Sequence, residues 1–251
     1  MELFSAEKFI KKLDGFLNAG DLNSAEKYLE AVYAEEKGNP AATLTILNEM
    51  IGLYRQTMEK DKGFAAIKEA LSVTDSLNPS PVTAGTVYLN AATTMKAFGN
   101  SREAIPYYEK AENLLYSSLK SDHPLIAGLC NNMALALQDI NEAEKAEQYF
   151  RKALNITEKD RDLGLETAVT CVNLAHLLFD NNPVDKEIDS LLDRAFEILN
   201  DPYYSGFGKY AFTCEKCAPS FGFFGRIFDE KSLKERAQNG YERNTAEQAL
   251  L

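Results

Sequence analysis

Apolar residues recur at helical spacing along most of the chain, and one short pattern of polar and apolar positions returns at regular intervals. Each copy holds a polar turn, an alanine, an aromatic or aliphatic residue and a further small residue. The key alanines, at steps of 41, 38 and 42 residues, are Ala25, Ala66, Ala104 and Ala146. A weaker fifth copy over 184–199 places Ile188 another 42 residues on. Each copy predicts an amphipathic helix.

Another predicted helix precedes each of these amphipathic helices, and several of the preceding helices begin with proline. Pro40, Pro81 and Pro124 follow one another at steps of 41 and 43 residues. Proline suits the first helical turn because its missing N–H is not needed there. The preceding Asn39, Ser80 or Asp122 can cap the free amides. The predicted unit is helix, turn, helix, repeated about every 42 residues, without the alternating β runs or Gly-rich phosphate loop of Rossmann and P-loop proteins.

Small and aromatic packing positions in these helices resemble the tetratricopeptide repeat family. The matching residues are the first-helix positions Ala92, Ala134 and Ala175, the turn glycines Gly20 and Gly99, and the second-helix series Ala104, Tyr108, Ala111 and Ala146, Phe150, Ala153. The 42-residue step and the phrase DHPLIAGLCNNMALAL are similar to the longer subtype found in kinesin light chains. The resemblance covers roughly residues 6–199 and implies an all-α, right-handed superhelix whose first helices line a concave groove.

The predicted solenoid occupies residues 1–200. Its five repeats lie near 6–38, 40–78, 81–120, 124–159 and 162–200. Residues 201–251 are predicted to form a degenerate capping helix pair, with 229–243 as its second helix, and a tail, packed on the solenoid as one domain.

Four asparagines follow the same period, at steps of 42, 42 and 41 residues: Asn48, Asn90, Asn132 and Asn173. By resemblance to the family, this position points into the groove. Asparagine carries a donor and an acceptor, so a row of asparagines suits the backbone of an extended peptide. The alternative is that these amides satisfy backbone or neighbouring side chains within the superhelix.

Other polar residues are predicted to flank the asparagines: Arg55, Lys96, Gln138 and His176. They do not form the Lys and Arg set that a carboxylate-clamp cochaperone would need, because Gln138 occupies one candidate position. The sequence places no nucleophile or carboxylate at a spacing from His176 that is typical of a catalytic motif, which argues against catalysis.

Cys214 and Cys217 form the one motif that suggests metal or redox chemistry. Structural zinc normally needs four ligands, and Cys130 and Cys171 lie on other predicted helices. Cys130 and Cys171 each lie two residues before one of the periodic asparagines, Asn132 and Asn173. We therefore favour the interpretation that the cysteines are free thiols that serve as small packing residues. Zinc or redox use of Cys214 and Cys217 is the weaker alternative, and no cofactor is predicted.

Nine aromatic residues lie between Tyr203 and Phe228. They are interpreted either as the core of the capping helix pair or as a protein-docking patch, for which the candidates are Phe221, Phe223 and Phe224.

The chain of 251 residues has a formal net charge of −11 and no basic patch, which argues against nucleic acid and anionic membranes as partners. No apolar run is long enough to span a bilayer, and the N-terminus lacks the apolar core of a signal peptide. A cytoplasmic location is therefore expected.

These patterns predict a non-enzymatic module that binds an extended peptide or a segment of a partner protein in the groove. One alternative is a peptide-responsive regulatory sensor, similar to bacterial peptide-pheromone receptors. Another is a scaffold that self-associates as a homo-oligomer through the aromatic C-terminal face.

Overall fold

A computed structural model describes residues 4–248, in which twelve α-helices are connected by turns and the chain forms no β-strand. The helices, in chain order, are α1 (Ala6–Asn18), α2 (Leu22–Glu36), α3 (Pro40–Gln56), α4 (Lys60–Leu77), α5 (Pro81–Ala97), α6 (Ser101–Tyr116), α7 (Pro124–Asp139), α8 (Ala143–Thr157), α9 (Gly164–Asn181), α10 (Glu187–Asn200), α11 (Tyr210–Phe223) and α12 (Ile227–Gln248). Short 3₁₀ turns at Arg161–Leu163 and Pro202–Gly206 precede α9 and α11. The predicted all-α fold of paired helices, including the sixth pair, is confirmed. The end of the predicted tail, 249–251, lies outside the described residues.

Proline occupies the first turn of α3, α5 and α7, as predicted, and the preceding residue caps each helix. The side chains of Asn39 and Ser80 accept hydrogen bonds from the amides of Ala42 and Thr83, at 3.4 and 3.2 Å. The prediction that Asp122 caps α7 is wrong. His123 caps this helix instead, because its Nδ1 accepts from the Leu125 amide at 3.1 Å.

Most turns inside a helix pair contain one residue with a positive φ, which reverses the chain in few residues. These residues are Gly20, Met58, Gly99, Asn141 and Gly225, with φ of 73°, 60°, 84°, 63° and 76°. Glycine and asparagine tolerate this left-handed conformation, whereas methionine adopts it at a cost. The turn between α3 and α4 is therefore built from an unfavourable residue, and the sequence pattern alone did not reveal it.

The helices fall into two compact units, residues 1–121 and 122–251, each with three helix pairs. In the N-terminal unit the repeated alanines Ala25, Ala66 and Ala104 are buried between helices, and Tyr108 is fully enclosed. Small side chains at these positions let neighbouring helix backbones approach closely, while the larger ring fills the space between them. The predicted division into a solenoid over 1–200 and a cap over 201–251 stays a prediction.

The C-terminal unit repeats this packing with Ala146, Phe150 and Ala153, all fully buried. Its last helix pair is held to α10 by the Tyr210 hydroxyl, which donates to the Leu199 carbonyl at 2.8 Å. Phe221 of α11 is fully buried and its ring lies 5.8 Å from that of Phe196. Large apolar side chains of α11 thus cover the preceding helix pair. Within residues 4–248, each helix is too short or too polar to cross a bilayer.

Candidate functional site

Two asparagines of the N-terminal unit, Asn48 on α3 and Asn90 on α5, form a side-chain amide pair. Asn90 Nδ2 donates to Asn48 Oδ1 at 2.9 Å, and both residues are half-buried. The bond occupies one group of each amide. Asn48 Nδ2 and Asn90 Oδ1 have no hydrogen-bonding partner among residues 4–248, yet neither atom is sealed from solvent. The pair therefore keeps one donor and one acceptor, which is the complement of a peptide unit.

Arg55 lies two turns beyond Asn48 on α3, half-buried, and its Nη1 donates to Thr94 Oγ1 at 3.3 Å. Removal of its guanidinium from water lowers the pKa of Arg55, an effect that the nearby Tyr108 and Glu49 oppose. Burial also raises the pKa of Glu49, with a further contribution from Asp14. These two charges of α3 are thus partly desolvated, and Glu49 directly follows Asn48 in the chain.

The predicted flanking residue Lys96 lies in the last turn of α5 and is half-buried. Its helix also carries Asn90, so both residues belong to the same unit. A ligand role for Lys96 stays a prediction.

In the C-terminal unit three asparagines form a chain of amides. Asn173 Nδ2 donates to Asn131 Oδ1 at 3.0 Å, and Asn131 Nδ2 donates to Asn132 Oδ1 at 3.3 Å. Asn131 is buried, whereas Asn132 and Asn173 are half-buried. As in the first unit, the later asparagine donates to the earlier helix, and this chain leaves Asn132 Nδ2 and Asn173 Oδ1 unpaired within the described part of the sequence.

Asn131 was missed by the sequence reasoning because the period selected its neighbour Asn132. The two residues are adjacent, and only the step of 42 from Asn131 to Asn173, beside the step of 42 from Asn90 to Asn132, could have indicated that both belong to the pattern. Asn131 connects the amides of α7 and α9, so it is part of the candidate site.

The two remaining predicted groove residues of this unit have partners of their own. Gln138 Nε2 donates to Asp180 Oδ2 at 2.8 Å. The imidazole of His176 lies 5.0 and 4.8 Å from the rings of Phe223 and Phe224. Burial lowers the pKa of His176, and Asp180 opposes this shift. His176 therefore packs beneath the end of α11 as a largely neutral ring, which the sequence did not indicate.

A pocket of about 290 Å³ lies between α7, α9 and α11 in the same unit. Its apolar lining comes from Ala127, Leu165, Val169 and Phe212. The polar and glycine positions of the lining are Gly128, Asn131, Thr157, Glu166, Thr170, Lys209, Thr213 and Lys216. Gly128 lies 43 residues after Gly85, the same step that separates Pro81 from Pro124, whereas Glu166 and Lys209 follow no repeat. The convergence of three helices on one pocket was therefore not predictable from the pattern.

The proposed docking patch is only partly exposed. The prediction that Phe221 belongs to a docking patch is wrong, because this residue is fully buried in the core of the sixth helix pair. Phe224 is half-buried, and Phe223 is 58% exposed. Two neighbours that were not predicted extend the exposed surface, Ile227 at 58% and Phe228 at 90%. Phe223, Ile227 and Phe228 are called the aromatic face below.

All four cysteines are buried free thiols. Burial raises the pKa of Cys214 to about 11 and that of Cys217 to about 12. Cys, His, Asp and Glu side chains form no group of three suited to a metal ion within residues 4–248. The thiolate is the reactive and metal-binding form of cysteine, and burial that disfavours this form agrees with the packing interpretation of Cys214 and Cys217.

One helix pair of the chain matches a known protein family. Residues 126–159, which span most of α7 and all of α8, match the tetratricopeptide repeat family. The Clustered mitochondria protein homolog of Emericella nidulans is 28% identical over 114 residues, which make up 45% of this chain. The chain spans only 9% of the length of that relative.

Solved structures share the fold over most of the chain. Nearly identical TPR-like repeats of a kinesin light chain-type protein from Podosopora anserina superpose with a TM-score of 0.55 at 15% identity, over 80% of this chain and 95% of that one. The apo form of the quorum sensor NprR from B. thuringiensis gives a TM-score of 0.60 at 11% identity, over 99% of this chain and 71% of the sensor. At these identities the likeness concerns the fold alone, and the chain has the tetratricopeptide repeat fold.

Proposed function

We propose that this tetratricopeptide repeat protein is an interaction module that holds an extended segment of a partner protein through its asparagine amides. The proposal rests on one observation, the amide chains Asn90 to Asn48 and Asn173 to Asn131 to Asn132, in each of which the later helix donates to the earlier one. Each chain fixes the orientation of its amides before a ligand arrives, and each retains a free donor and a free acceptor. Such preorganised groups lose little side-chain entropy on binding.

The free groups fit a peptide backbone better than a particular side chain. A peptide unit offers one N–H and one C=O, and the unpaired Oδ1 of Asn90 or Asn173 would accept the former while Nδ2 of Asn48 or Asn132 would donate to the latter. Affinity would then come from the main chain, and specificity from whatever the neighbouring residues admit. The proposed module needs no catalytic group or cofactor, and Arg55, Lys96 and Gln138 are its proposed flanking contacts.

A display library of short random peptides tests this function. Binders are selected on the wild-type protein, and their dissociation constants are compared between the wild type, an Asn90→Ala, Asn173→Ala double variant and a matched Asn113→Ala, Asn155→Ala variant. The control asparagines are exposed on α6 and α8, so the chemical change is the same away from the site. We expect the first variant to bind at least about tenfold more weakly, which corresponds to the loss of one to two net hydrogen bonds, and the control to bind as the wild type does.

Circular dichroism must show equal helicity for all three proteins, because the amide bonds also connect neighbouring helices. Equal affinity of the two double variants for the selected peptides, or the absence of any selected binder, would contradict the proposal. A peptide-responsive sensor would use the same site. It would differ by a ligand-induced change in the helix packing, measurable by small-angle scattering with and without the selected peptide.

The aromatic face supports a second candidate, self-association. Phe228 is 90% exposed beside Phe223 and Ile227, and exposed apolar clusters of this kind favour contact with another protein surface. Light scattering of the wild type and of Ile227→Ser, Phe228→Ser tests it, with Val184→Ser as the matched control because Val184 is an isolated apolar residue at 83% exposure. Loss of a dimer only in the double variant would support self-association, and a monomeric wild type at all concentrations would exclude it.

The net charge of −11 supports a protein or peptide partner in preference to nucleic acid or an anionic membrane surface. A cytoplasmic location agrees with buried cysteines that remain free thiols. Fractionation of cells that express the full-length protein, followed by immunoblotting, tests the location.

A further inference from the structure

The pocket between α7, α9 and α11 has room for one small group. Its volume of about 290 Å³ lies just below the roughly 300 to 1,000 Å³ that drug-sized ligands occupy. The apolar walls formed by Leu165, Val169 and Phe212 suit a hydrocarbon or aromatic group rather than a charged one.

Most polar side chains of this pocket already have partners within the protein. The hydroxyls of Thr157, Thr170 and Thr213 donate to carbonyl groups of their own helices, at 3.4, 2.8 and 2.8 Å. The amide of Asn131 is occupied on both sides by Asn173 and Asn132. These residues therefore present few free hydrogen-bonding groups to a ligand.

Glu166 is different, because its two carboxylate oxygens are in unequal environments. Oε1 accepts from the ammonium group of Lys209. Oε2 is sealed from water and has no hydrogen-bonding partner, the one buried side-chain oxygen or nitrogen in this condition among residues 4–248. A buried acceptor without a donor is unfavourable. The terminal torsion of glutamate is broad, so a small rotation of the carboxylate can offer Oε2 to a donor in the pocket while Lys209 keeps its contact.

Gly128 leaves the α7 side of the pocket open. It lies inside α7, where glycine is less favourable than alanine. A Cβ at this position would meet no atom within 4 Å, so the packing of the protein gives no reason for glycine. The bare backbone leaves space on the α7 side of the pocket, which permits the close approach of another molecule.

We propose that this pocket binds one apolar side chain of a peptide segment, and that the adjoining amide N–H of the segment donates to Glu166. This proposal rests on the proposed peptide-binding function and specifies what it selects. Glu166 already pairs with the ammonium group of Lys209 through Oε1, so a neutral N–H suits the remaining acceptor Oε2 better than a second ammonium group does.

The probes are N-phenethylacetamide, which carries an aromatic group and one amide N–H, and N-methyl-N-phenethylacetamide, in which a methyl group replaces the hydrogen. Each is titrated into the full chain and followed by backbone amide NMR spectra. We expect the first probe to shift the amides of Gly128, Val169 and Thr213. We expect it to bind at least about tenfold more tightly than the N-methylated probe, the effect of a hydrogen bond to a charged group.

Three variants assign the contacts. Gly128→Leu fills the pocket and should abolish binding of both probes, while Gly52→Leu, at a glycine inside α3 with an open Cβ direction, should bind as the wild type does. Glu166→Leu should bind both probes with equal affinity. Equal affinity of both probes for the wild type, shifts confined to other regions, or no binding up to the solubility limit of the probes would each overturn the proposal.

The peptide library separates this proposal from the proposed function. We expect the peptides selected on the wild type to share an apolar residue at one position, and the peptides selected on Gly128→Leu to show no such preference. If the probes bind as expected but the asparagine double variant retains full peptide affinity, the amide function fails and the pocket stands. If the asparagine variant loses affinity while the probes and the apolar preference are absent, the pocket assignment fails and the amide function stands.

Discussion

The ring of Tyr204 covers the backbone of Gly164 where α9 begins. The Tyr204 hydroxyl donates to the carbonyl of Arg161 at 2.8 Å, and a Cβ on Gly164 would lie 2.1 Å from the same hydroxyl oxygen. Residue 164 must therefore be glycine if Tyr204 is to reach the 3₁₀ turn Arg161–Leu163 that precedes α9. The contact connects the fifth helix pair to the sequence that leads into the sixth.

We therefore expect Gly164→Ala to destabilise the protein by about 1 to 3 kcal/mol, the usual cost of overpacking a tightly packed site. Gly128→Ala is the matched control, since its Cβ would meet open space inside a helix, and should stabilise by about 0.5 to 1 kcal/mol. Urea denaturation followed by circular dichroism measures both. An unchanged midpoint for Gly164→Ala would mean that Tyr204 moves away at no cost.

Met58 provides a second test of backbone conformation. It adopts φ of 60° in the turn between α3 and α4 and is 63% exposed, so replacing its side chain removes little packing. Met58→Gly should stabilise the protein by up to about 1 kcal/mol, because glycine adopts the left-handed conformation without the steric cost that other residues carry. The reciprocal Gly99→Met, at φ of 84°, should destabilise. Thermal unfolding compares the two, and a lower melting temperature for Met58→Gly would contradict the expectation.

Much of the architecture was predictable from the sequence because its signals are local. The repeated alanines, the prolines at the start of three helices and the turn glycines each express a constraint within a few residues, and the period then sets the pairing of helices. His123 as a cap was missed because aspartate is the more usual capping residue and the two are adjacent.

The candidate site was predictable only in part. The asparagine period identified Asn48, Asn90, Asn132 and Asn173. The amide connections depend on which side chains of adjacent helices meet, and only the structure shows that Asn131 bonds to both Asn173 and Asn132. The contact of His176 with Phe223 and Phe224 joins positions 47 and 48 residues apart, outside the period of 42. Burial of Phe221 follows from the face of α11 that packs on Phe196, a choice that aromatic content does not determine.

The environment of His176 predicts acid sensitivity. Burial lowers the pKa of His176 in the folded state, so the unfolded chain takes up a proton first as the pH falls. The stability that the neutral ring contributes is present above the ordinary pKa of about 6.5 and is lost below it. The free energy of unfolding of the wild type should thus fall more steeply between about pH 7 and about pH 5 than that of His176→Gln.

Histidine NMR signals provide the direct measurement for this residue. The midpoint of the His176 titration should lie below the ordinary value, and Phe223→Ala, Phe224→Ala should move it back toward that value because the ring regains water. A midpoint at or above the ordinary value in the wild type would show that Asp180 outweighs burial.

Cysteine burial predicts the opposite dependence at high pH. Burial raises the pKa of Cys171 and Cys217 to about 12 and that of Cys214 to about 11, from 9.0. A thiol whose folded-state pKa is raised contributes stability that is complete below the unfolded pKa and declines as the pH rises toward the folded value. Stability should therefore begin to fall above about pH 9, by up to about 1.4 kcal/mol per thiol and pH unit.

Cys217→Ala separates this effect from the titration of tyrosine and lysine. The variant loses some packing at every pH, but its decline above pH 9 should be shallower than that of the wild type, because one fewer thiol ionises on unfolding. A thiol reagent gives a second readout: the native protein should react slowly and the urea-unfolded chain rapidly, since the thiolate is the reactive form. Parallel declines of the two proteins, together with rapid native reaction, would place these sulfur atoms in contact with water and reopen a chemical role for the pair Cys214 and Cys217.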